Sequence, residues 1–370
     1  MEFKPNNPIL VMLAVALITA SILFVLSFKS QMAAGYTDGN GTDALAKKAA
    51  LFSRAPELQG ISGYINAPEG FRLSDVKGKV VIVDFWTYSC INCIRTLPYL
   101  TAWDEKYRDE GLVIVGVHTP EFQFEKDKAN VEKAVGKYGI KYPVVQDNDF
   151  GTWNAYGNLY WPHKYIIDAD GFIRYDHIGE GGYEETEEVI QKLLQERDEK
   201  LQMGALVSSN ITSNTSFGGI GTPEIYFGYG LALPARNFLG NPEGFRPEQT
   251  VAYSLPSVPV KNYAYLEGNW TNKNDYMELA SDTGKVVLKY QAKNVNIVAG
   301  EPANLTIRLD GRDATAAELG SDGQMAGGRP VVMTDGHTLY RVVDDEGYYE
   351  KTLEIDVKGK GFRIYTFTFG

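Results

Sequence analysis

Hydrophobic and polar positions change their rhythm several times along the chain. Ile9 to Phe28 is a run of 20 residues without a charge. As a helix rising about 1.5 Å per residue it would match the roughly 30 Å hydrocarbon core of a bilayer. The basic n-region and short apolar stretch of a cleaved signal peptide are not matched: Lys4 stands against Glu2, and the run is too long. An uncleaved single-pass anchor is therefore expected over residues 1–29. Ser30 to Ala55 is polar and Gly-rich, then Ala/Lys-rich, and reads as a stalk with a short helix near Asp43 to Phe52.

From Pro56 the rhythm alternates between buried strands and amphipathic helices. Lys79 to Trp86 is an apolar run broken by Asp84, and Leu112 to His118 is a second such run. Lys164 to Asp168 and Phe172 to Ile178 flank Ala169-Asp170-Gly171, a hairpin signal. Helical spacing covers Ile91 to Arg108, Glu125 to Tyr138 and Tyr183 to Glu199. This alternation predicts an α/β layer fold with a mixed sheet over residues 56–203. Gly204 to Gly221, rich in Ser, Asn, Thr and Gly, reads as a linker. Beyond it, residues 222–370 show short strands between Gly, Asp and Asn clusters, which predicts an all-β sandwich.

Composition narrows the chemistry. The 370 residues are 44% hydrophobic and 22% charged, as in ordinary globular protein. A net charge of −11 excludes a nucleic-acid partner and docking of a basic patch on anionic lipid. Two cysteines exclude a disulfide-dense scaffold and a four-cysteine metal site within one chain. The four histidines, His118, His163, His177 and His337, lack metal-ligand spacing, so no metal is expected.

Both cysteines fall in one motif. Cys90-Ile91-Asn92-Cys93 follows a buried strand and opens a helix. A thiolate is stabilised there by the partial positive charge and free N–H groups of the helix N-terminus. The two-residue spacer lets the second sulfur resolve a mixed disulfide. A bond closing so short a loop constrains the unfolded chain little, so a purely structural disulfide is the weaker reading. Redox exchange is expected, with Cys90 attacking, Cys93 resolving, and the Cys90–Cys93 pair serving in place of a cofactor.

The surrounding residues carry a resemblance. Val83-Asp84-Phe85-Trp86 before Cys90, and Pro98 five residues after Cys93, resemble the thioredoxin superfamily. The resemblance implies that Asp84 is the buried acid taking a proton from Cys93. It implies that Glu121, in His118-Thr119-Pro120-Glu121, is the second acid of TlpA/ResA-type thioredoxins. Trp161-Pro162 falls where the superfamily has its cis proline, so Trp86, Trp161 and Pro162 would shape the substrate groove. Trp86 through Leu100, Gly116 through Phe122, Tyr160-Trp161-Pro162, Gly268-Asn269-Trp270 and the ending Tyr365 to Gly370 resemble the C-terminal periplasmic region of DipZ proteins. These are membrane-bound thiol–disulfide proteins of the cytochrome c biogenesis group. In them the second domain resembles a carbohydrate-binding module, here a jelly-roll over residues 222–370. DipZ proteins carry a CcdA-like electron-conducting region before the thioredoxin domain; this sequence has one apolar run instead, which implies a separate membrane electron donor.

The expected protein is thus a thiol–disulfide oxidoreductase acting on protein thiols and disulfides, held on the cell membrane through Ile9–Phe28 with its domains extracytoplasmic. Tyr226, Phe227, Tyr229, Tyr263, Tyr265, Trp270 and Tyr276 make carbohydrate stacking on the β domain a further expectation, with Trp270 foremost. Two other functions compete. Thr87-x-x-Cys90 echoes the Thr-x-x-Cys of thiol peroxidases, although their Pro four residues before the Thr falls on Val83. A cell-surface binding protein with incidental cysteines is the third.

Overall fold

The structure is a computed structural model that describes residues 41–211, 219–232 and 238–370. The expected anchor Ile9–Phe28 lies outside the described residues, among which no helix is long and apolar enough to cross a membrane. Helix α1, Gly41–Leu51, falls where a short helix was expected.

The α/β part is built on β1 (Gly63–Ile65), β2 (Val80–Trp86), β3 (Leu112–His118), β4 (Val144–Gln146), β5 (His163–Ile167) and β6 (Ile173–Ile178). Their order is β1-β4-β3-β2-β5-β6. The β2–β3 and β3–β4 pairs are parallel, while β1, β5 and β6 join antiparallel. Every residue of β2 is buried, because helices cover both faces of this central strand. Its period of two divides the core. Val80, Ile82 and Trp86 pack with Leu97, Leu100 and Trp103 of α2 (Ile91–Tyr107) and with Ile190 and Leu194 of α5 (Tyr183–Arg197). Val81, Val83 and Phe85 face Trp153 of α4 (Gly151–Ala155) on the other side.

One expected helix is divided. Glu125 to Tyr138 is not continuous: a 3-10 turn covers Gln123–Lys126, and α3 runs over Lys128–Lys137 with Asp127 as its N-cap. The break occurs because the Glu125 carboxylate turns inward to accept backbone N–H groups from Glu121 and Phe122.

The C-terminal β-rich region contains β7 (Ile225–Tyr226), β8 (Thr250–Tyr253), β9 (Ala264–Asn272), β10 (Met277–Leu279), β11 (Thr283–Gly300), β12 (Ala303–Leu309), β13 (Arg312–Asp313), β14 (Gly323–Ala326), β15 (Arg329–Thr334), β16 (Thr338–Lys358) and β17 (Arg363–Phe369). Where the pattern predicts two short strands, at Lys285 to Gln291 and Val295 to Val298, one 18-residue strand β11 runs through. Its ladder with β16 crosses the interruption by register shifts at Ala292/Asn294 and Val295/Asn296, so bulges absorb the irregular pattern. β11 pairs with β9 near its start and β17 near its end, and β10 bridges those two strands. One core, including Leu266, Trp270, Leu288, Ile307, Leu353 and Phe362, lies within the folded sheet.

The two parts are not separated. Phe52–Gly370 forms one compact unit. Ile91, Ile94 and Phe122 are buried together with Tyr226, Val298, Leu339 and Tyr365 of the β-rich region. The expected linker begins as packed structure: Val207 N and Ser208 N donate to Glu187 of α5, and Tyr99 OH donates to Ile211 O.

Candidate active site

β2 delivers the chain through Thr87-Tyr88-Ser89 to Cys90, the N-cap of α2. The Cys93 N–H donates to Cys90 Sγ at 3.2 Å. This is the cap bond that a helix N-terminus offers a side-chain acceptor. Both cysteines are free thiols; Cys90 is partly exposed and Cys93 buried. Burial pushes the Cys93 thiol well above the ordinary range, and the hydrogen bond and charge of Cys90 push the same way. Of the two sulfurs, Cys90 is thus the one open to solvent, and the Cys93 thiol holds its proton.

One buried carboxyl, Asp84, bears on that thiol through its charge. Asp84 is 1% exposed. Burial raises its carboxyl to about 7, with the Lys164 ammonium opposing the rise. A carboxylate half-ionised near neutral pH can accept a thiol proton. Asp84 Oδ1 has no hydrogen-bond partner among the described residues, leaving it an open acceptor.

Lys164 is the site residue that the linear pattern did not single out. It is fully buried on β5, opposite Asp84 in register, and its Nζ donates to Gly179 O at 3.1 Å. Burial lowers its proton affinity, while Asp84, Cys93 and Glu180 support the charge. The available signal was a lysine two residues after Pro162 in an otherwise apolar strand; its facing of Asp84 depends on the β2–β5 register.

Other expected residues are distributed less simply. The Trp161–Pro162 bond is cis. Trp161 donates its indole N–H to Thr119 O at 3.1 Å and packs on Trp153, ring centres 4.2 Å apart. Beside it Leu159 and Tyr160 are 71% and 50% exposed, an apolar strip at the surface. Trp86 corrects the expectation of a groove residue: it is fully buried, with its indole against Gly116 and no surface for a substrate. Glu121 accepts the Tyr226 hydroxyl at 2.6 Å, an anchor to the β-rich region. The buried acid in this loop is instead Glu125, whose Oε1 accepts the Ser89 hydroxyl at 2.5 Å, immediately before Cys90. Burial raises its carboxyl, opposed by hydrogen bonds from Ser89 and Thr87. His118 is neutral, lowered to about 3 by burial, and its Nε2 meets Thr87 Oγ1 at 3.3 Å. Among the described residues no cluster of His, Cys, Asp and Glu could hold a metal ion.

A helix-capping Cys-x-x-Cys, a buried acid whose charge bears on its second thiol, and a cis proline entering the strand next to β2 in a mixed sheet define a thioredoxin-like dithiol protein. Comparison with known proteins agrees. Residues 53–176 match the AhpC/TSA family and residues 222–370 the thioredoxin-like C-terminal domain. The thiol-disulfide oxidoreductase ResA of Bacillus thuringiensis is 30% identical over 174 residues, which are 46% of this chain and 92% of ResA. Protein DipZ of Mycobacterium tuberculosis is 37% identical over 320 residues, covering 85% of this chain; the chain spans only 43% of the length of that relative. Among solved structures, a thioredoxin-like protein in the oxidized form is 27% identical, with TM-score 0.37 over 39% of this chain and 97% of that one. The chain belongs to the thioredoxin-like thiol–disulfide oxidoreductases.

Proposed function

We propose that the protein exchanges disulfides with protein substrates outside the cytoplasm, tethered to the membrane through Ile9–Phe28. The observations that carry the chemistry are a partly exposed Cys90 that accepts the Cys93 N–H, a buried Cys93 thiol, and a buried Asp84 whose charge bears on that thiol and whose carboxyl is raised to about 7. The Cys90 thiolate attacks one sulfur of a substrate disulfide, and the other sulfur leaves as a thiolate that takes a proton from solvent. Cys93 passes its proton to Asp84, attacks Cys90 Sγ and releases the second substrate sulfur. Two electrons pass to the substrate, and Cys90–Cys93 closes as the disulfide without a further cofactor. Trp161 and Pro162, with the exposed Leu159 and Tyr160, form the edge along which the substrate chain lies. Glu121 acts through its bond to Tyr226 rather than at sulfur.

A separate CcdA-like membrane protein would return reducing equivalents, and cytochrome c maturation is the pathway we favour, both following from the likeness to DipZ. We read the β-rich region as a jelly-roll sandwich that braces the redox site. A carbohydrate platform on it has little support, since Trp270, Phe227 and Tyr265 are all buried. The match to the AhpC/TSA family keeps peroxide reduction in view, but Thr87 is fully buried beside His118 instead of facing Cys90.

Trapping the thiols of the chain across glutathione and dithiothreitol buffers tests the reading. A reversible Cys90–Cys93 couple below about −200 mV is expected of a reductant fed from the membrane. Absence of any reversible couple overturns the redox function, and turnover of peroxide with an artificial thiol would favour the peroxidase instead.

A further inference from the structure

His163 opens β5 directly after the cis proline, and its ring lies between two acceptors. Nδ1 is 2.6 Å from Asn158 Oδ1, and Nε2 is 2.9 Å from Asp176 Oδ2 on β6. The orientation of the Asn158 amide is set by its own bonds: Nδ2 donates to Tyr160 O at 3.1 Å, and Oδ1 accepts from Tyr160 N at 3.5 Å. Reversing the amide would set Oδ1 against the Tyr160 carbonyl. Both ring nitrogens therefore face oxygen, and only an imidazolium, with N–H at each, satisfies both.

A neutral ring has one N–H to place. The charged carboxylate of Asp176 draws it to Nε2, because hydrogen bonds to an ionised partner are the stronger ones. The Nδ1 lone pair is then left against Asn158 Oδ1. His163 is 5% and Asn158 2% exposed, so water cannot easily relieve the contact. Asn158 in turn holds Tyr160 at both its backbone groups, inside the strip that leads to Trp161 and Pro162.

We propose that His163 is a positioning residue: protonated, it clamps the 158–162 loop through Asn158 for the protein substrate of Cys90, and neutral, it releases that loop. This rests on the thiol–disulfide reading above. The ring gains or loses one proton to solvent, and none passes to sulfur. Burial lowers its proton affinity; Asp176 on β6 raises it, while Lys164 on β5 and His177 on β6 lower it. The Tyr165 ring packs on it with centres 4.1 Å apart. The clamp accordingly closes below the ordinary histidine range and opens as pH rises through that lowered value.

The test uses the whole chain in detergent, between pH 5 and 8. Imidazole 15N spectra, assigned with His163→Gln, read the protonation of each ring nitrogen. KM and kcat are measured for insulin as a protein disulfide and for a small aromatic disulfide. Two protonated nitrogens are expected at the acid end of the titration. As the ring loses its proton, KM for insulin should rise roughly three- to tenfold, the worth of one hydrogen bond, with no matching change for the small disulfide. Asp176→Asn offers an amide that donates to Nε2, so a neutral Nδ1–H ring satisfies both sides and KM should stay at its acid value throughout. Asn158→Ala should hold KM at the alkaline value. A ring that shows no second N–H as the pH is lowered, or a KM step that survives in Asp176→Asn, overturns the clamp. A chain inert toward both disulfides would count against the redox reading instead, and the spectra would still decide the clamp.

Discussion

At the scale of single residues, the site turns on how burial alters two acids, Asp84 and the Cys93 thiol. Burial works against the charged form of each, so the resolving thiol is protonated at neutral pH while Asp84 is divided between its two forms. Proton acceptance requires the carboxylate, and its population grows as pH rises through about 7. Resolution of a mixed disulfide at Cys90 should therefore accelerate across that range, as rapid-mixing kinetics would show. Asp84→Asn should slow that step about ten- to hundredfold and abolish the inflection. Lys164→Met removes the cation that holds the Asp84 carboxyl down, so its inflection should move to higher pH; an unmoved inflection would mean that the two charges do not communicate.

At the scale of elements, β2 is the strand on which both the fold and the chemistry depend. Its parallel partner places Gly116 beside Asp84, and its antiparallel partner places Lys164 there. Gly116 is required by space: a Cβ there would lie 2.9 Å from Trp86 Nε1 and 3.3 Å from both Tyr142 and Val144. Gly116→Ala should cost about 1–3 kcal/mol by overpacking, read as a lower urea midpoint. Sequence pattern located these elements closely. Leu112 to His118 is β3 as expected, and Ile91 to Arg108 differs from α2 by its last residue. The pattern failed at Glu125, where helical spacing was expected but a buried carboxylate took backbone N–H groups and the helix starts only at Lys128.

At the scale of the whole molecule, the β-rich region is part of the redox site's support. Phe124 stacks on His337 and meets Tyr365 with ring centres 4.7 Å apart, and Tyr88 OH donates to His337 O at 3.3 Å. The interface reaches between the cysteines, since Ile91 is buried in it. Calorimetry should give one cooperative transition for Phe52–Gly370, and two well-separated transitions would show the parts to be independent. Tyr365→Ala should cost about 3–5 kcal/mol and raise hydrogen exchange at Ile91 to Ile94, because its ring fills the shared core.

The chemistry-bearing pair was legible in the sequence because it is local: Cys90 and Cys93 are three residues apart, and a strand running into a helix is written in hydrophobic spacing. Asp84 was legible for the same reason, as a lone charge in an apolar run, and Pro162 through its family likeness. What tertiary structure alone decided is every pairing of distant residues. Lys164 faces Asp84 only because β5 runs antiparallel to β2 in that register, and a one-residue slip would turn it to the opposite face. His163 lies between Asn158 and Asp176 only once β5 and β6 have paired, and Tyr226 reaches Glu121 only where the β-rich region packs on the α/β part. Trp86, placed in the groove by family likeness, and Trp270, expected at a surface as one aromatic among many, lie inside because large aromatic area is worth most where water is excluded.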